Sequence, residues 1–389
     1  MESERIPALV IITTSFPIVG DGSEAAGSFV VDLVEEMAKH LPVRVVAPGR
    51  SAQKESWSTG VEVYRYAAPD RPLSTLKFWR ARDLWWLVRV LSGGRAATRA
   101  ATADATAHIL ALWGLPSGDW ARRVAFERAI DYSVWLLGSD VWTLGKVPVI
   151  RGVLAKAIRG AVHAYADGYV LADDALRLSG ATVDFLPSTR RIGLIERSTP
   201  RGRPPYRLLF LGRWHPNKGV DLLLEALELL GDDDWGQIER VDIQGGGPLE
   251  GLVRAKVSKL QAMGRPIKVG RYLTKSEAEM AIADSDWILI PSRIESIPVV
   301  FSDAAKLARP IVAMPVGDLP RLMSRYDIGH LASAVTAKDF AAALVGALRD
   351  EAVRFDLALH EVAAHFSMEN RVVRTILAGF PERAAGIDP

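Results

Sequence analysis

The sequence predicts an α/β protein made of two doubly wound domains. Short apolar runs typical of buried parallel strands alternate with amphipathic stretches typical of helices along most of the 389 residues. A run of this kind begins each half, at Ala8–Thr13 and at Tyr206–Leu211. The segment Pro187–Pro205 between the halves is rich in Arg, Pro and Gly and lacks a clear period, so it is predicted to be an interdomain linker.

Composition narrows the classes of function. Hydrophobic residues make up 49% of the chain and charged residues 24%, which is normal for a globular protein. The net charge of +2 is too small to indicate binding of nucleic acid. The chain has no cysteine, which excludes disulfides and cysteine-ligated metal sites. Met1–Pro7 lacks the apolar core of a signal peptide and no apolar run is long enough to span a membrane, so a cytoplasmic location is expected.

The first half begins with a strand–loop–helix–strand pattern that is typical of a doubly wound domain. The loop after the first strand contains Gly20, Gly22 and Gly27, and it leads into an amphipathic helix at Phe29–His40. The pattern Gly-x-Gly-x-x-Gly is missing, so dinucleotide binding is not supported. The other elements predicted in this half are strands at Val43–Ala47, Val61–Tyr66, His108–Trp113, Asp131–Leu137, Gly168–Leu171 and Val183–Leu186, and a helix at Asp119–Ala129.

A basic and aromatic stretch, Leu76–Leu91, is predicted to be an amphipathic helix. It contains three tryptophans and four cationic residues but a single acid, Asp83. Two interpretations remain open. The helix lies on an anionic membrane surface as a peripheral contact, or it packs its tryptophans against the protein and exposes its arginines to water.

The second half repeats the alternation of strands and helices. Its elements are predicted as strands at Tyr206–Leu211, Val241–Gln244, Ile267–Val269, Trp287–Ile290 and Ile311–Ala313, and helices at Asp221–Leu230 and Phe366–Leu377. Gly245, Gly246 and Gly247 follow the second of these strands. Three consecutive glycines either let the backbone come close to a ligand or form a flexible turn.

A candidate anion site lies where the strand Trp287–Ile290 leads into a helix. Pro298 suits the first position of that helix, because its ring fixes φ and its missing N–H would lack a partner there anyway. The next amides, those of Val299, Val300 and Phe301, are expected to have no partner within the helix. A helix N-terminus after a parallel strand is therefore predicted to face an anion.

Charged side chains accompany this position and the first strand of the same half. Glu295 precedes the helix, and Asp303 lies eight positions later. The two carboxylates either hold hydroxyl groups on both sides of a bound phosphate or are merely solvated. Arg213 and Lys218 follow the strand Tyr206–Leu211, and their cations suit a diphosphate, with solvated loop cations as the alternative.

These motifs resemble those of the retaining glycosyltransferases of family 4, which have the GT-B fold. The resemblance rests on the Glu-x7-Glu spacing of Glu295 and Asp303, and on the Gly-Arg and Lys-Gly pairs that include Arg213 and Lys218. The motifs follow the family's order from Tyr206 to Val312, and the match is loose before Tyr206.

The resemblance implies roles for matched residues of the second half and for Gly27 in the first half. Arg213 and Lys218 would stabilise the leaving diphosphate of a nucleotide-sugar donor. Glu295 would bind hydroxyls of the donor sugar, and Asp303 the nucleotide ribose. The other donor-binding positions that it implies are Gly27, Gly246, Gly247, Tyr272, Leu273, Val299 and Val300.

The sequence also departs from the family pattern. Asp303 replaces a glutamate, and Pro298 replaces the usual glycine, which removes one amide donor. On the acceptor side, Trp113 and Asp140 match, but leucine stands at three positions where the family often has histidine, among them Leu137. The family's histidine lies near the donor's 6-hydroxyl, so Leu137 predicts a donor that lacks this group, unless the leucine merely packs in the core.

The resemblance implies a GT-B protein with two Rossmann-like domains facing a cleft. The expected parts are an acceptor-side domain at 1–187, a linker at 188–205, a donor domain at 206–365 and a helix at 366–389 that crosses back. The expected reaction is retaining transfer of a hexose or deoxyhexose from a nucleotide sugar to a glycan, lipid-linked or small-molecule acceptor, and it requires no metal. A nucleotide-sugar epimerase and a non-catalytic nucleotide-sugar binding protein remain as alternatives.

Overall fold

The computed structural model describes residues 6–18, 27–70, 76, 79–193 and 199–380, and the chain divides into two compact units. The first unit consists of Met1–Ser188 and Met368–Pro389, and the second of Thr189–Ser367. Each unit contains one mainly parallel sheet with helices, so the predicted α/β class with two doubly wound domains is confirmed. The residues that were predicted as a linker after Ser188 group with the second unit.

The first unit is built on an eight-stranded sheet. Its strands are β1 (Ala8–Ile12), β2 (Val43–Gly49), β3 (Gln53–Ser58), β4 (Val61–Ala67), β5 (Thr106–Leu112), β6 (Tyr132–Leu136), β7 (His163–Ala166) and β8 (Asp184–Phe185). Its helices are α1 (Ser28–Met37), α2 (Ala81–Ala101), α3 (Ser117–Arg128), α4 (Ser139–Trp142), α5 (Pro148–Arg159) and α6 (Tyr169–Ser179), with a 3₁₀ turn at Leu144–Lys146. The strand order is β3-β4-β2-β1-β5-β6-β7-β8, and only β3 runs antiparallel to its neighbour.

The second unit has a six-stranded, wholly parallel sheet. Its strands are β9 (Tyr206–Arg213), β10 (Ile238–Gly246), β11 (Ile267–Val269), β12 (Trp287–Ile290), β13 (Ile311–Ala313) and β14 (Gly329–Leu331). Its helices are α7 (Val220–Glu228), α8 (Asp232–Trp235), α9 (Glu250–Ala262), α10 (Lys275–Ala283), α11 (Val299–Lys306), α12 (Leu319–Arg325), α13 (Ala337–Leu348) and α14 (Asp356–His365), with 3₁₀ turns at Pro216–Lys218 and Ala352–Phe355. The order β11-β10-β9-β12-β13-β14 is that of a doubly wound fold.

The chain ends on the first unit. Residues Met368–Val373 form a π-helical turn that leads into α15 (Arg374–Ala378), rather than the single regular helix predicted over Phe366–Leu377. Met368, Val372 and Ile376 are buried in the same apolar cluster as residues of β1 and β2. Burial of these side chains explains why the segment joins the first unit and not the second.

The central strands are predicted directly by their sequences. β1 and β12 are continuous apolar runs, and every residue in them is buried because helices cover both faces of a parallel sheet. The β3 strand was not predicted, because its sequence QKESWS is polar and its position at the sheet edge leaves its alternate residues exposed. An edge strand needs only one partner strand and little burial.

Two predicted elements need correction. Gly168–Leu171 is not a strand: Gly168 precedes α6, and the strand β7 lies before it at His163–Ala166. The apolar run after Gly168 belongs to the helical period of α6, and β7 (HAYA) was missed because it is short and is not a continuous apolar run. The helix predicted over Leu76–Leu91 begins at Ala81 and extends to Ala101, and residues 77–78 lie outside the described residues.

Candidate functional site

The candidate site of the second unit lies at the carboxyl ends of β9 and β12. These two strands are neighbours in the sheet, and the order of strands reverses between them. Ligands of doubly wound sheets bind outside the carboxyl ends of the strands at such a reversal. Strand β9 ends at Arg213 and its loop carries Lys218, whereas the loop after β12 carries Glu295.

Lys218 and Glu295 meet at this point. Lys218 Nζ donates a hydrogen bond to Glu295 Oε1, and the two groups form an ion pair. Ser292 Oγ donates to the same carboxylate oxygen at 2.9 Å. The side chain of Glu295 is 11% exposed and that of Lys218 is 29% exposed, so solvent screens this pair less than a surface ion pair. The structure thus brings together two residues that the sequence assigned to one site.

Arg213 differs from Lys218 in its surroundings. It is the last residue of β9, and its side chain is exposed. Within the described ranges its guanidinium has neither a hydrogen bond nor an ion pair. Its planar set of donors is therefore available to an anion.

Arg293 joins the two loops that carry the cations and the acid. Its backbone N–H donates to the carbonyl oxygen of Asn217 at 2.8 Å, and its guanidinium donates to the carbonyl oxygen of Pro216 at 2.7 Å. The guanidinium also makes two hydrogen bonds of 2.7 Å to the carboxylate of Asp221. Burial alone would raise the pKa of Asp221, but the bonds from Arg293 hold it below its usual value. The two loops are thus fixed against each other by four hydrogen bonds from one residue.

Glycines allow a close approach on both sides of the Glu295 loop. Gly219 has φ of +67°, and a Cβ there would lie 1.9 Å from the carbonyl oxygen of Pro291. Gly317 has φ of +55°, and a Cβ there would lie 2.3 Å from the carbonyl oxygen of Glu295. Any other residue type at these two positions would combine backbone strain with a collision. The glycines therefore let the loop of Glu295 fit between its neighbours.

The predicted glycine loop after β10 packs against residues of its own unit. Tyr272 Oη donates to the carbonyl oxygen of Gly246 at 2.6 Å, and a Cβ at Gly246 would lie 2.8 Å from the tyrosine ring. Gly247 has φ of +143°, and its Cβ would lie 2.9 Å from the carbonyl oxygen of Trp214. Tyr272 is 47% exposed and Leu273 half-buried. Packing alone accounts for the glycines, so the approach of a ligand to them stays a prediction.

The first turn of α11 differs in part from the expectation. Pro298 is the residue before the helix, with an extended backbone, and the helix begins at Val299. The amide of Phe301 donates to the carbonyl oxygen of Pro298 at 2.9 Å, so the expectation that it lacks a helical partner is wrong. In the part of the chain that the structure describes, the amides of Val299 and Val300 have no hydrogen-bond partner. These two remain candidates for binding an anion.

Asp303 lies on α11 as predicted, but its carboxylate makes a contact that the sequence did not indicate. Arg190 Nε donates to Asp303 Oδ2 at 2.9 Å, and the Arg190 Nη2 donates to the same oxygen. The side chain of Asp303 is 1% exposed and that of Arg190 is 11% exposed. The carboxylate therefore serves a buried ion pair and is not presented at the surface for a ribose. Ribose binding by Asp303 stays a prediction that this geometry does not support.

The predicted residues of the first unit lie around the carboxyl ends of β1, β5 and β6. Gly27 has φ of +77°, and a Cβ there would lie 2.6 Å from the carbonyl oxygen of Ser15, which follows β1. Trp113 follows β5 with φ of +67°, and its ring lies 6.4 Å from that of Phe29. Leu137 follows β6 and packs, partly buried, on the same apolar cluster as Trp113. This packing corresponds to the alternative in which Leu137 has no contact with the donor, whose 6-hydroxyl preference stays a prediction.

Asp140 has a structural environment. Its carboxylate is buried and accepts hydrogen bonds from the amides of Gly114 at 2.7 Å and Val141 at 3.1 Å. Burial raises the pKa of Asp140, and the backbone hydrogen bonds oppose that rise. The side chain thus joins the loop after β5 to the start of α4. Its role toward an acceptor stays a prediction, and the geometry explains the residue without one.

Sequence reasoning missed the residues that position the site. Arg293 and Asp221 are in the motifs that were recognised, but nothing in the spacing indicated that they pair. Arg190 was assigned to a linker, and nothing in that Arg-, Pro- and Gly-rich segment indicated its partner. Among the described residues, no group of three or more His, Asp or Glu side chains is arranged to hold a metal ion. The expectation of a metal-free reaction stays a prediction.

The sequence of the second unit is similar to a known family of proteins. Residues 205–350 match the family described as glycosyl transferases group 1. A D-inositol 3-phosphate glycosyltransferase of Thermomonospora curvata is 30% identical over 168 residues, which are 42% of this chain and 37% of that protein. A second protein of this name, from Geodermatophilus obscurus, is 28% identical over 208 residues, which are 52% of this chain and 44% of that protein. The chain thus spans less than half the length of these two curated relatives.

Solved structures of low sequence identity share the fold. The α,α-trehalose-phosphate synthase of Burkholderia vietnamiensis matches with a TM-score of 0.71 at 12% identity, over 96% of this chain and 98% of that one. Anabaena HepE in complex with UDP-glucose matches with a TM-score of 0.66 at 14% identity, over 96% of this chain and 100% of that one. The predicted GT-B fold is therefore confirmed. Residues 205–350 are thus similar in sequence to the group 1 glycosyltransferases, on a chain with the GT-B fold.

Proposed function

We propose that this protein transfers a sugar from a nucleotide-sugar donor to an acceptor hydroxyl with retention of the anomeric configuration. The observation that carries the proposal is the Lys218–Glu295 pair at the reversal of strand order between β9 and β12. Both residues lie within the segment 205–350 that matches the group 1 glycosyltransferases. A site at this edge of a doubly wound sheet suits a nucleotide.

The proposed chemistry needs positive charge where the leaving group forms. When the glycosidic bond breaks, the departing nucleoside diphosphate gains negative charge. Lys218 is held in place by Glu295, whereas Arg213 is exposed and has no partner among the described residues, so both cations are available to that charge and Lys218 is already oriented. The amides of Val299 and Val300 add donors at the start of α11. These groups supply the electrostatic stabilisation that a bound metal ion provides in other enzymes.

The acid has a second task in this proposal. Glu295 Oε1 already accepts hydrogen bonds from Lys218 and Ser292, which fix its orientation. Its other oxygen, Oε2, is then placed to accept hydrogen bonds from hydroxyls of the donor sugar. Retention follows if the acceptor hydroxyl attacks from the side of the leaving phosphate and gives its proton to that phosphate. Such a route requires no side chain as general base, in agreement with the absence of an obvious candidate in the sequence.

The relatives suggest the first compounds to test. The curated proteins are named for D-inositol 3-phosphate, and the HepE crystals contain UDP-glucose. An inositol phosphate is therefore the first acceptor, and UDP-glucose the first donor. Other nucleotides and 6-deoxy sugars belong in the same panel, because Leu137 leaves the sugar preference open.

Binding and turnover can be tested in sequence. We expect one nucleoside diphosphate and the sugar donors built on it to raise the melting temperature of the protein, because a ligand that binds the folded state stabilises it. The best donor, incubated with the acceptor panel, should then give a glycoside whose anomeric configuration, read by NMR, equals that of the donor. Isomerised sugar from the donor alone would indicate an epimerase. Donor binding with no release of nucleotide when acceptors are added would indicate a non-catalytic binding protein. A product of inverted configuration would contradict retention.

A further inference from the structure

The first half of α2 exposes an apolar stripe. Leu84, Val88 and Leu91 are spaced by one helical turn and are 47%, 59% and 44% exposed. Trp85 lies beside them and is 52% exposed, and Trp79, just before the helix, is 67% exposed. A soluble protein does not usually leave two tryptophans and three aliphatic side chains open to water on one helix. The interpretation that this stretch packs all its tryptophans against the protein does not fit Trp85, since about half of its surface is exposed.

The exposed charges within residues 79–92 are all positive. Arg80, Arg82 and Arg89 are exposed, and in the described part of the molecule none of them has an ion pair. The acid of the stretch, Asp83, is buried. Arg89 stacks its guanidinium on the ring of Trp85 at 5.1 Å, so its charge lies directly over the apolar stripe. Residues 79–92 therefore present three cations and no acid to solvent.

A pocket adds to this positive surface. It has a volume of about 600 Å³ and lies at the start of α2, next to the residues that follow β2 and β4. Arg50, Arg80 and Arg82 line it together with Trp86, against the acids Asp70 and Asp83. The three guanidinium groups outnumber the two carboxylates of this pocket, so its charge is net positive, and each guanidinium offers planar paired donors to a phosphate.

We propose that the surface formed by Trp79–Leu91 docks on an anionic lipid bilayer. Arginines beside exposed tryptophans are the combination that binds a bilayer interface, since the rings enter the headgroup region while the cations contact lipid phosphates. Among the described residues no helix has the length and hydrophobicity to cross a bilayer, so the contact is peripheral. The pocket would then receive the phosphate of a lipid headgroup. This inference does not depend on the proposed sugar transfer.

The test is cosedimentation of the full chain with vesicles. Phosphatidylcholine vesicles with phosphatidylglycerol should bind the protein at low salt, and high salt should weaken the binding by screening. Vesicles of phosphatidylcholine alone should bind much less. Absence of binding to the anionic vesicles at low salt, or equal binding to both kinds, would overturn the proposal.

Charge variants locate the contact on α2. Arg82→Gln together with Arg89→Gln should lower the binding constant for anionic vesicles by about 25-fold, roughly fivefold for each arginine. The matched control is Lys268→Gln with Arg349→Gln, two exposed cations of the second unit, and it should bind as the wild type does. An equal loss in both pairs would mean that net charge and not this surface determines the binding.

Apolar variants test insertion independently. Trp85→Ser with Val88→Ser should lower the binding constant by at least about tenfold at constant charge. The control is Met263→Ser with Leu357→Ser, which are 58% and 85% exposed in the second unit. All four side chains are exposed, so circular dichroism should show an unchanged fold. Wild-type vesicle binding by the Trp85 and Val88 variant would remove α2 as the docking element.

Discussion

At the scale of single residues, the two cations of the candidate site are not equivalent. Arg213 is exposed and has no partner in the described part of the chain, whereas Lys218 neutralises the largely buried carboxylate of Glu295. Alanine at either position should lower turnover by about 10²-fold, the scale of losing one donor to a transition-state charge. Only Lys218→Ala should also lower the melting temperature, because it leaves Glu295 without its cation.

Steady-state kinetics and thermal melts of the two variants check this difference. The control is Lys268→Ala, another exposed cation of the second unit, which should leave turnover and melting temperature unchanged. Wild-type turnover in Arg213→Ala would show that this residue does not contact the leaving group.

Asp303 supports a second prediction at this scale. Because its ion pair with Arg190 is buried, Asp303→Asn should lower the free energy of unfolding by about 3 kcal/mol, the cost of leaving a buried charge unpaired. Arg190→Gln should have an effect of similar size. The double variant should lose much less than the sum, since each single change already breaks the same interaction.

Urea unfolding of the wild type, the two single variants and the double variant gives the coupling free energy between Arg190 and Asp303. A double variant whose loss equals the sum of the two single losses would show that the pair contributes nothing. Nucleotide binding to folded Asp303→Asn, measured by calorimetry, answers a separate question. Unchanged affinity would remove the ribose-binding role that the resemblance implies.

At the scale of elements, Gly219 determines how closely the loop after β9 approaches the loop after β12. Gly219→Ala would place a Cβ 1.9 Å from the carbonyl oxygen of Pro291 and so push Lys218 away from Glu295. We expect turnover to fall by about tenfold or more, because a displacement on the order of 1 Å can cost about 10²-fold.

The matched control for this prediction is Gly264→Ala. Gly264 has φ of +76°, close to the +67° of Gly219, but nothing lies within 4 Å of the Cβ it would gain. Gly264→Ala should therefore lower the free energy of unfolding by about 1–2 kcal/mol, the cost of a left-handed backbone for alanine, and leave turnover normal. Equal activities of the two variants would show that the contact with Pro291 is not needed for the site.

The elements also show what periodicity can and cannot predict. The strands at Ile267–Val269, Trp287–Ile290 and Ile311–Ala313 have the predicted bounds, because a buried parallel strand is a short apolar run between turns. The strand at Gln53–Ser58 was missed, since the sheet edge allows polar residues. The predicted strand at Gly168–Leu171 was wrong, because a short apolar run can equally begin a helix.

At the scale of the whole molecule, the sequence predicted the two-sheet architecture and which loops carry the candidate site, but not all of the contacts that these residues make. Glu295, Lys218 and Arg213 were assigned to one site because loops at the carboxyl ends of adjacent strands converge in a doubly wound sheet, and the structure brings Lys218 and Glu295 into contact. Asp303 was assigned by spacing alone. Spacing does not reveal that Arg190, more than a hundred residues earlier, lies beside it.

Stability of the chain should depend on pH through a histidine of the first unit. His108 lies buried on β5, and its Nε2 is 2.8 Å from Ser133 Oγ on β6. Burial, with a smaller effect of His163, lowers the pKa of His108 to about 4 from its usual 6.5. Between these values the unfolded chain binds a proton at this site and the folded chain does not, so stability falls as the pH is lowered from about 6.5 toward 4.

The free energy of unfolding should fall by up to about 3 kcal/mol, at 1.36 kcal/mol for each unit of difference between the two pKa values. Urea unfolding from pH 7 to 5 measures most of it before carboxylates begin to titrate. His108→Gln should show a flatter dependence on pH over this range, whatever its stability at pH 7, because the titrating group is gone. His40→Gln, a change at an exposed histidine of the same unit, should keep the wild-type slope. If both variants keep that slope, His108 is not the group that makes folding depend on pH, and its proton must be accommodated in the folded state.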